Sequence, residues 1–135
     1  MTSIAKCCCG KLSIEIEGIP LVNAACHCND CKKRTGSAFG LSVYINNKQI
    51  VNTQGQHKIY KINGDIKQER YFCSNCGTTL YWKLSNYPEL TGVAGGCFAE
   101  SNIREPEYTI TNENKCNWLS LPENWETSIT PEAFQ

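Results

Sequence analysis

Three tight groups of cysteine stand out in this 135-residue chain, which holds ten cysteines in all. They are Cys7-Cys8-Cys9, the set Cys26, Cys28 and Cys31 in the run ACHCNDCKKRTGSAFG, and the pair Cys73 and Cys76 in FCSNCG. Thiolates at such spacings suit zinc. Phe72 to Gly77 reads as a C-x-x-C-G knuckle: a tight turn aims two sulfurs inward, and the glycine allows its geometry. If Cys7 to Cys9 is extended, Cys7 and Cys9 point one way and Cys8 the other, so two more sulfurs share a face. Two and two complete a tetrahedral site of four cysteines. The plainer reading takes Cys7 to Cys9 as small buried residues.

Strand alternation likewise places Cys26 and Cys28 on one face and turns His27 away. Cys31, in the first turn of a short helix, can swing back toward Cys28. This stretch then supplies three sulfurs, and His27 reads better as a packing residue than as a fourth ligand. Three protein ligands with an open position are the pattern of a catalytic zinc. A thiol coordinated there is deprotonated and becomes a nucleophile near neutral pH. The adjacent Lys32, Lys33 and Arg34 could balance the charge of three thiolates or draw in an anionic ligand, although such a run is more often a solvated face. Two other groupings fit the spacing. Cys28/Cys31 and Cys73/Cys76 could form a two-knuckle ribbon, leaving Cys7, Cys9 and Cys26 spare. Cys97 or Cys116 could close the second site and make it structural. Those two lone cysteines read most simply as buried free thiols.

The elements that must position these residues are short strands. Leu12, Ile14 and Ile16 alternate with polar residues, a half-buried strand broken at Gly18-Ile19-Pro20. Leu21 to Cys26 is extended. Asn29-Asp30 can cap a short helix through Arg34 that ends at Gly36. Leu41 to Ile45 is a strand. His57–Ile62 and Ile66–Phe72 flank Asn63-Gly64, a type I′ hairpin signal. Thr79–Lys83, Leu90–Val93 and Tyr108–Thr111 are further strands. The tail, Asn117 to Gln135, looks irregular and packed back onto the sheet. No long helical periodicity or repeat appears, so the expectation is one all-β domain over 1–135, mainly antiparallel, with one short helical turn.

Composition narrows the function. Thirteen basic residues balance thirteen acidic ones, which argues against a nucleic-acid surface. No apolar run nears the roughly 20 residues of a membrane helix, and Met1 to Lys6 has no apolar core of a signal peptide. A cytoplasmic protein with no membrane partner is expected, and there cysteines serve metals or redox chemistry rather than disulfides.

The strings CCCGKLSIEIEGIP, ACHCNDCKKRTGSAFG, RYFCSNCGTTLYW and GVAGGCF, spread from about Lys6 to Trp118, resemble the glutathione-dependent formaldehyde-activating enzyme family, which includes centromere protein V. The joint pattern is specific. The resemblance implies a zinc β-tent fold, a structural zinc on Cys7, Cys9, Cys73 and Cys76, and a second zinc on Cys26, Cys28 and Cys31 associated with glutathione. It implies condensation of formaldehyde with glutathione to S-(hydroxymethyl)glutathione, a carbon–sulfur lyase run in reverse. The partners are then a small-molecule thiol and an aldehyde. Lys32, Arg34 and Ser37 are candidate contacts to glutathione, whose carboxylates need donors. The chain departs from the family at Cys8, where a histidine or another residue is usual, and at Cys97, where a small or hydroxyl residue is frequent. It lacks the basic, proline-rich extension of centromere protein V, which weakens a chromatin role. The alternative is a non-catalytic zinc protein that binds glutathione or a protein partner.

Overall fold

A computed structural model describes residues 1–135. Two sheets face each other. The smaller has the order β1 (Thr2–Lys6), β2 (Ser13–Glu17), β5 (Ile50–Gln54). The larger has seven strands: β10 (Tyr108–Ile110), β3 (Val22–Cys26), β4 (Gly40–Asn46), β9 (Leu90–Ala94), β8 (Thr79–Leu84), β7 (Gln68–Cys73) and β6 (His57–Ile62). β10 joins β3 in parallel; the other neighbours run antiparallel. Helix α1 (Asn29–Thr35) lies between β3 and β4. No helix is long and apolar enough to cross a membrane.

The core forms where the sheets meet. Leu12, just before β2, and Ile14 and Ile16 within it pack against Val43, Ile45, Tyr81, Val93 and Phe98, all buried. Period-2 alternation produces this, since Glu17 at the end of the same strand is exposed. β8 carries one extra residue opposite the Tyr71–Phe72 step. This bulge turns Leu80 into the core beside Tyr81. The outer face of the large sheet differs. Tyr44, Gly92, Trp82 and Arg70 are register partners in one row across four strands. A second row holds Ala24, Ser42 and Ala94, and a third Cys26 and Gly40. Directly opposed residues share a face, so Cys26, Tyr44, Trp82 and Arg70 all stand on the outer side.

Several expectations need correction. Asn63-Gly64 does not form a two-residue turn. Pairing resumes at Ile62 with Gln68, so five residues make the loop, and Ile66 is exposed. β1 and β5 give weak signals in the sequence because they are polar edge strands: β5 is exposed along nearly its whole length. The helix cap is Cys28, not Asn29 or Asp30; its sulfur accepts the backbone N–H of Cys31. The tail is irregular and docks through Phe134, which sits edge-on to Tyr44 at 5.7 Å, but Trp118 is left 75% exposed.

Candidate metal centres

The first cluster joins two segments. Cys7 to Gly10 is a tight turn rather than extended chain, since the Gly10 N–H reaches the Cys7 carbonyl at 3.0 Å. The second knuckle closes alike, with Gly77 N–H on the Cys73 carbonyl at 2.9 Å. Gly10 and Gly77 have φ of 79° and 80°, the left-handed region that glycine enters at little cost. The two turns bring Cys7, Cys9, Cys73 and Cys76 together, every sulfur within 4.8 Å of the others. The Cys7–Cys9 sulfur distance is 3.6 Å and Cys9–Cys73 is 3.7 Å. A tetrahedron of Zn–S bonds near 2.3 Å has edges of about 3.8 Å, so the cluster fits zinc. Backbone N–H groups of Leu12 and Asn75 point at the sulfurs of Cys7 and Cys73, as thiolates require. Burial pushes the Cys7 thiol up to about 11, whereas the Thr78 hydroxyl and N–H hold Cys76 down at about 5. Four thiols so close cannot all ionise without a cation. Cys8 stays outside this set and is exposed.

The second cluster is Cys26, Cys28 and Cys31, again with every sulfur within 4.8 Å of the others. β3 delivers Cys26, the helix cap delivers Cys28, and the first turn of α1 delivers Cys31. No other cysteine, histidine or carboxylate joins the group. Hydrogen bonding from Cys31 holds Cys26 down at about 5, and the same contact pushes Cys31 up. Cys26 and Cys31 together therefore release one proton readily and resist the next, as neighbouring thiols without a cation should. The Thr111 hydroxyl lies 4.0 Å from the Cys26 sulfur. Thr111 is the sole non-glycine residue at positive φ, 59°, and such left-handed strain tends to collect at functional sites.

His27 turns away from the sulfurs, as strand alternation predicts. It is fully buried, its ring 5.4 Å from that of Phe39. Thr109 donates its hydroxyl proton to Asn112 Oδ1, so its oxygen accepts from His27 Nε2 at 2.9 Å. Burial lowers the His27 pKa, which keeps the ring neutral.

The expected glutathione contacts divide. Lys32 donates its ammonium to the Asn114 carbonyl and so ties α1 to the segment after β10. Arg34 and Ser37 line a cleft of about 520 Å³, together with Cys8, Phe39, Thr78, Ala94 and Cys97 among others. The Arg34 guanidinium lies 4.6 Å from the centre of the Trp82 ring. Burial lowers its pKa, while the neighbouring Cys31 favours its charge and Arg70 opposes it. Gly40 makes room: a Cβ there would lie 2.7 Å from Arg34 Nη2. Cys97 and Cys116 are free thiols, as expected, but half-buried rather than buried. Neither closes the second cluster, and the two-knuckle ribbon does not form because Cys28/Cys31 and Cys73/Cys76 lie in separate groups. Thr111, Trp82 and Arg70 were not singled out in the sequence, since each acquires its place only through register and loop packing.

Comparisons with known proteins show what the chain as a whole is similar to. The family model described as glutathione-dependent formaldehyde-activating enzyme matches residues 2–114. A Fusarium vanettenii protein provisionally given that name is 26% identical over 106 residues, 76% of this chain and 57% of its own. A Podospora anserina protein with the same provisional name is 27% identical, covering 76% of this chain and 47% of its own. An Emericella nidulans protein, again so named, is 30% identical over 58% of this chain and 40% of its own. The chain thus spans about half the length of the curated relatives it matches. A solved Rhodobacter sphaeroides protein shares the fold at a TM-score of 0.57 and 20% identity, over 73% of this chain and 90% of that one. With most of its length matched by the family model, the chain belongs to the glutathione-dependent formaldehyde-activating enzyme family.

Proposed function

We propose that this protein is a zinc-dependent enzyme of carbon–sulfur chemistry that binds glutathione at the three-cysteine centre and adds its thiol to a small aldehyde, formaldehyde being the type substrate. One observation carries the reading. Cys26, Cys28 and Cys31 converge, the nearby histidine is engaged elsewhere, and the chain offers no fourth ligand. Cys7, Cys9, Cys73 and Cys76 would hold a second, structural zinc. A zinc ion held by three thiolates supplies Lewis acidity that makes a bound thiol a nucleophile near neutral pH.

The chain's own residues do the rest. The Cys31 N–H on the Cys28 sulfur, at 3.3 Å, and the Thr111 hydroxyl beside Cys26 orient the sulfurs. Lys32 secures the Asn112–Asn114 turn against α1. Arg34 brings positive charge beside Cys31, and Ser37 offers a hydroxyl at the cleft rim. In the reaction the glutathione thiol gives up its proton to solvent, its sulfur bonds to the carbonyl carbon, the C=O π pair moves to oxygen, and that oxygen takes a proton from solvent. Ten free thiols suit a reducing compartment such as the cytoplasm.

Exchange NMR of formaldehyde, glutathione and zinc-loaded protein tests the proposal. The rate of C–S bond formation should exceed the spontaneous rate, and Cys28→Ser should remove the excess. A rate equal to the spontaneous one, with glutathione still bound, would make the protein a carrier instead.

A further inference from the structure

The outer face of the large sheet carries two guanidinium groups that the protein does not pair. Arg34 Nη2 and Arg70 Nε are both buried and make no hydrogen bond. Buried donors of this kind cost free energy unless something accepts from them. Trp82 relates the two arginines. Arg34 reaches down from α1 over the face of Trp82, and Arg70 is the direct register partner of Trp82 on β7. Arg70 is among the groups that oppose the Arg34 cation. Two like charges held together, each with an idle donor, describe a site completed by an anion. Arg34 both borders Cys31 and lines the 520 Å³ cleft.

We propose that Arg34 and Arg70, related through Trp82, form a recognition site for a carboxylate of the thiol substrate, and that it takes the glycine-end carboxylate of glutathione. This rests on the reading of the three-cysteine centre as the thiol site. Planar forked donors match a carboxylate in a way that the lysines of α1 cannot. The choice of carboxylate follows from charge. The γ-glutamyl end carries an ammonium beside its carboxylate, which two arginines would repel. The glycine end is a bare anion. Arg34 and Arg70 are thereby specificity-determining residues that hold an end of the substrate where no bond forms.

The test uses ophthalmate, the glutathione analogue with a methyl in place of the thiol, so that binding is read apart from any thiol–metal contact. Calorimetry on the zinc-loaded protein should show ophthalmate bound. Arg70→Gln and Arg34→Gln should each weaken it about tenfold to a hundredfold, the range of a charge-assisted hydrogen bond. Lys48→Gln, an equal loss of charge at an exposed site, should change it less than twofold. The glycyl ethyl ester of ophthalmate should bind the unaltered protein as weakly as ophthalmate binds the Arg70→Gln variant, and should lose little more on that variant. The ester arm requires no folded variant, and circular dichroism with metal content checks the others. The proposal is overturned if the unaltered protein does not bind ophthalmate, if ester and acid bind alike, or if both folded arginine variants bind as the parent does. Cobalt-substituted protein separates the two readings. If glutathione changes the cobalt spectrum but the arginine variants bind normally, the thiol site stands and the carboxylate site falls.

Discussion

Replacing Gly92 by alanine should disturb the substrate side of the protein through a single methyl group. A Cβ at Gly92 would lie 2.1 Å from Trp82 Nε1 and 2.4 Å from Cε2. Ordinary contact begins near 3.4 Å, so the ring must retreat by about 1.3 Å, in a medium packed like an organic crystal. It has little room. Trp82 is only 3% exposed, Tyr44 meets it edge-on at 6.4 Å, and Arg34 caps its face. Overpacking of this kind costs about 2–3 kcal/mol, a fall in Tm of about 8–12 °C for a chain of this size. The sign is informative, because glycine to alanine in an unhindered strand would stabilise by about 0.5–1 kcal/mol. Displacing the ring also displaces Arg34, so affinity for ophthalmate should fall while zinc content stays unchanged. Thermal melting by circular dichroism, calorimetry and elemental analysis read the three quantities. A variant melting within about 2 °C of the parent would refute the packing of Trp82 on Gly92, and with it the seat of Arg34.

Two further substitutions separate the metal clusters and their support. Cys73→Ser removes a sulfur of the proposed structural zinc site that is also part of the core cluster, so cooperative melting should be lost or lowered by more than about 10 °C, whereas Cys28→Ser should lose one zinc and shift the melt by only a few degrees; equal damage from the two would contradict the proposed division into structural and functional centres. Thr111→Gly should relieve left-handed strain of up to about 1 kcal/mol yet weaken zinc at the three-cysteine centre by roughly tenfold or more, and competition against a chelator with no change in affinity would deny Thr111 any part in holding Cys26.

The core and the sulfur groupings were legible because they depend on local periodicity. Ile14 and Ile16 announce their face by alternation, and the same rule turns His27 from Cys26. Cys7 to Cys9 illustrate the limit: the pairing with Cys73 and Cys76 was readable, but the local conformation is a knuckle, because Gly10 closes a turn that alternation alone does not reveal. Asn63-Gly64 misled because a strong turn dipeptide was overridden by the register of β6 and β7, which leaves a five-residue loop. The Arg34–Trp82–Arg70 assembly was out of reach. It depends on β7, β8 and α1 meeting across a sheet, with Gly40 and Gly92 making room, and no local pattern encodes that meeting.

X-ray absorption at the zinc edge tests the central claim most directly, since it counts sulfur neighbours. One centre of four sulfurs and one of three predict two zincs per chain and an average of about 3.5 sulfurs per zinc, the remainder oxygen or nitrogen. Adding glutathione should raise the average to about four, and adding ophthalmate should leave it unchanged. One zinc per chain, or four sulfurs per zinc before any thiol is added, would contradict the account.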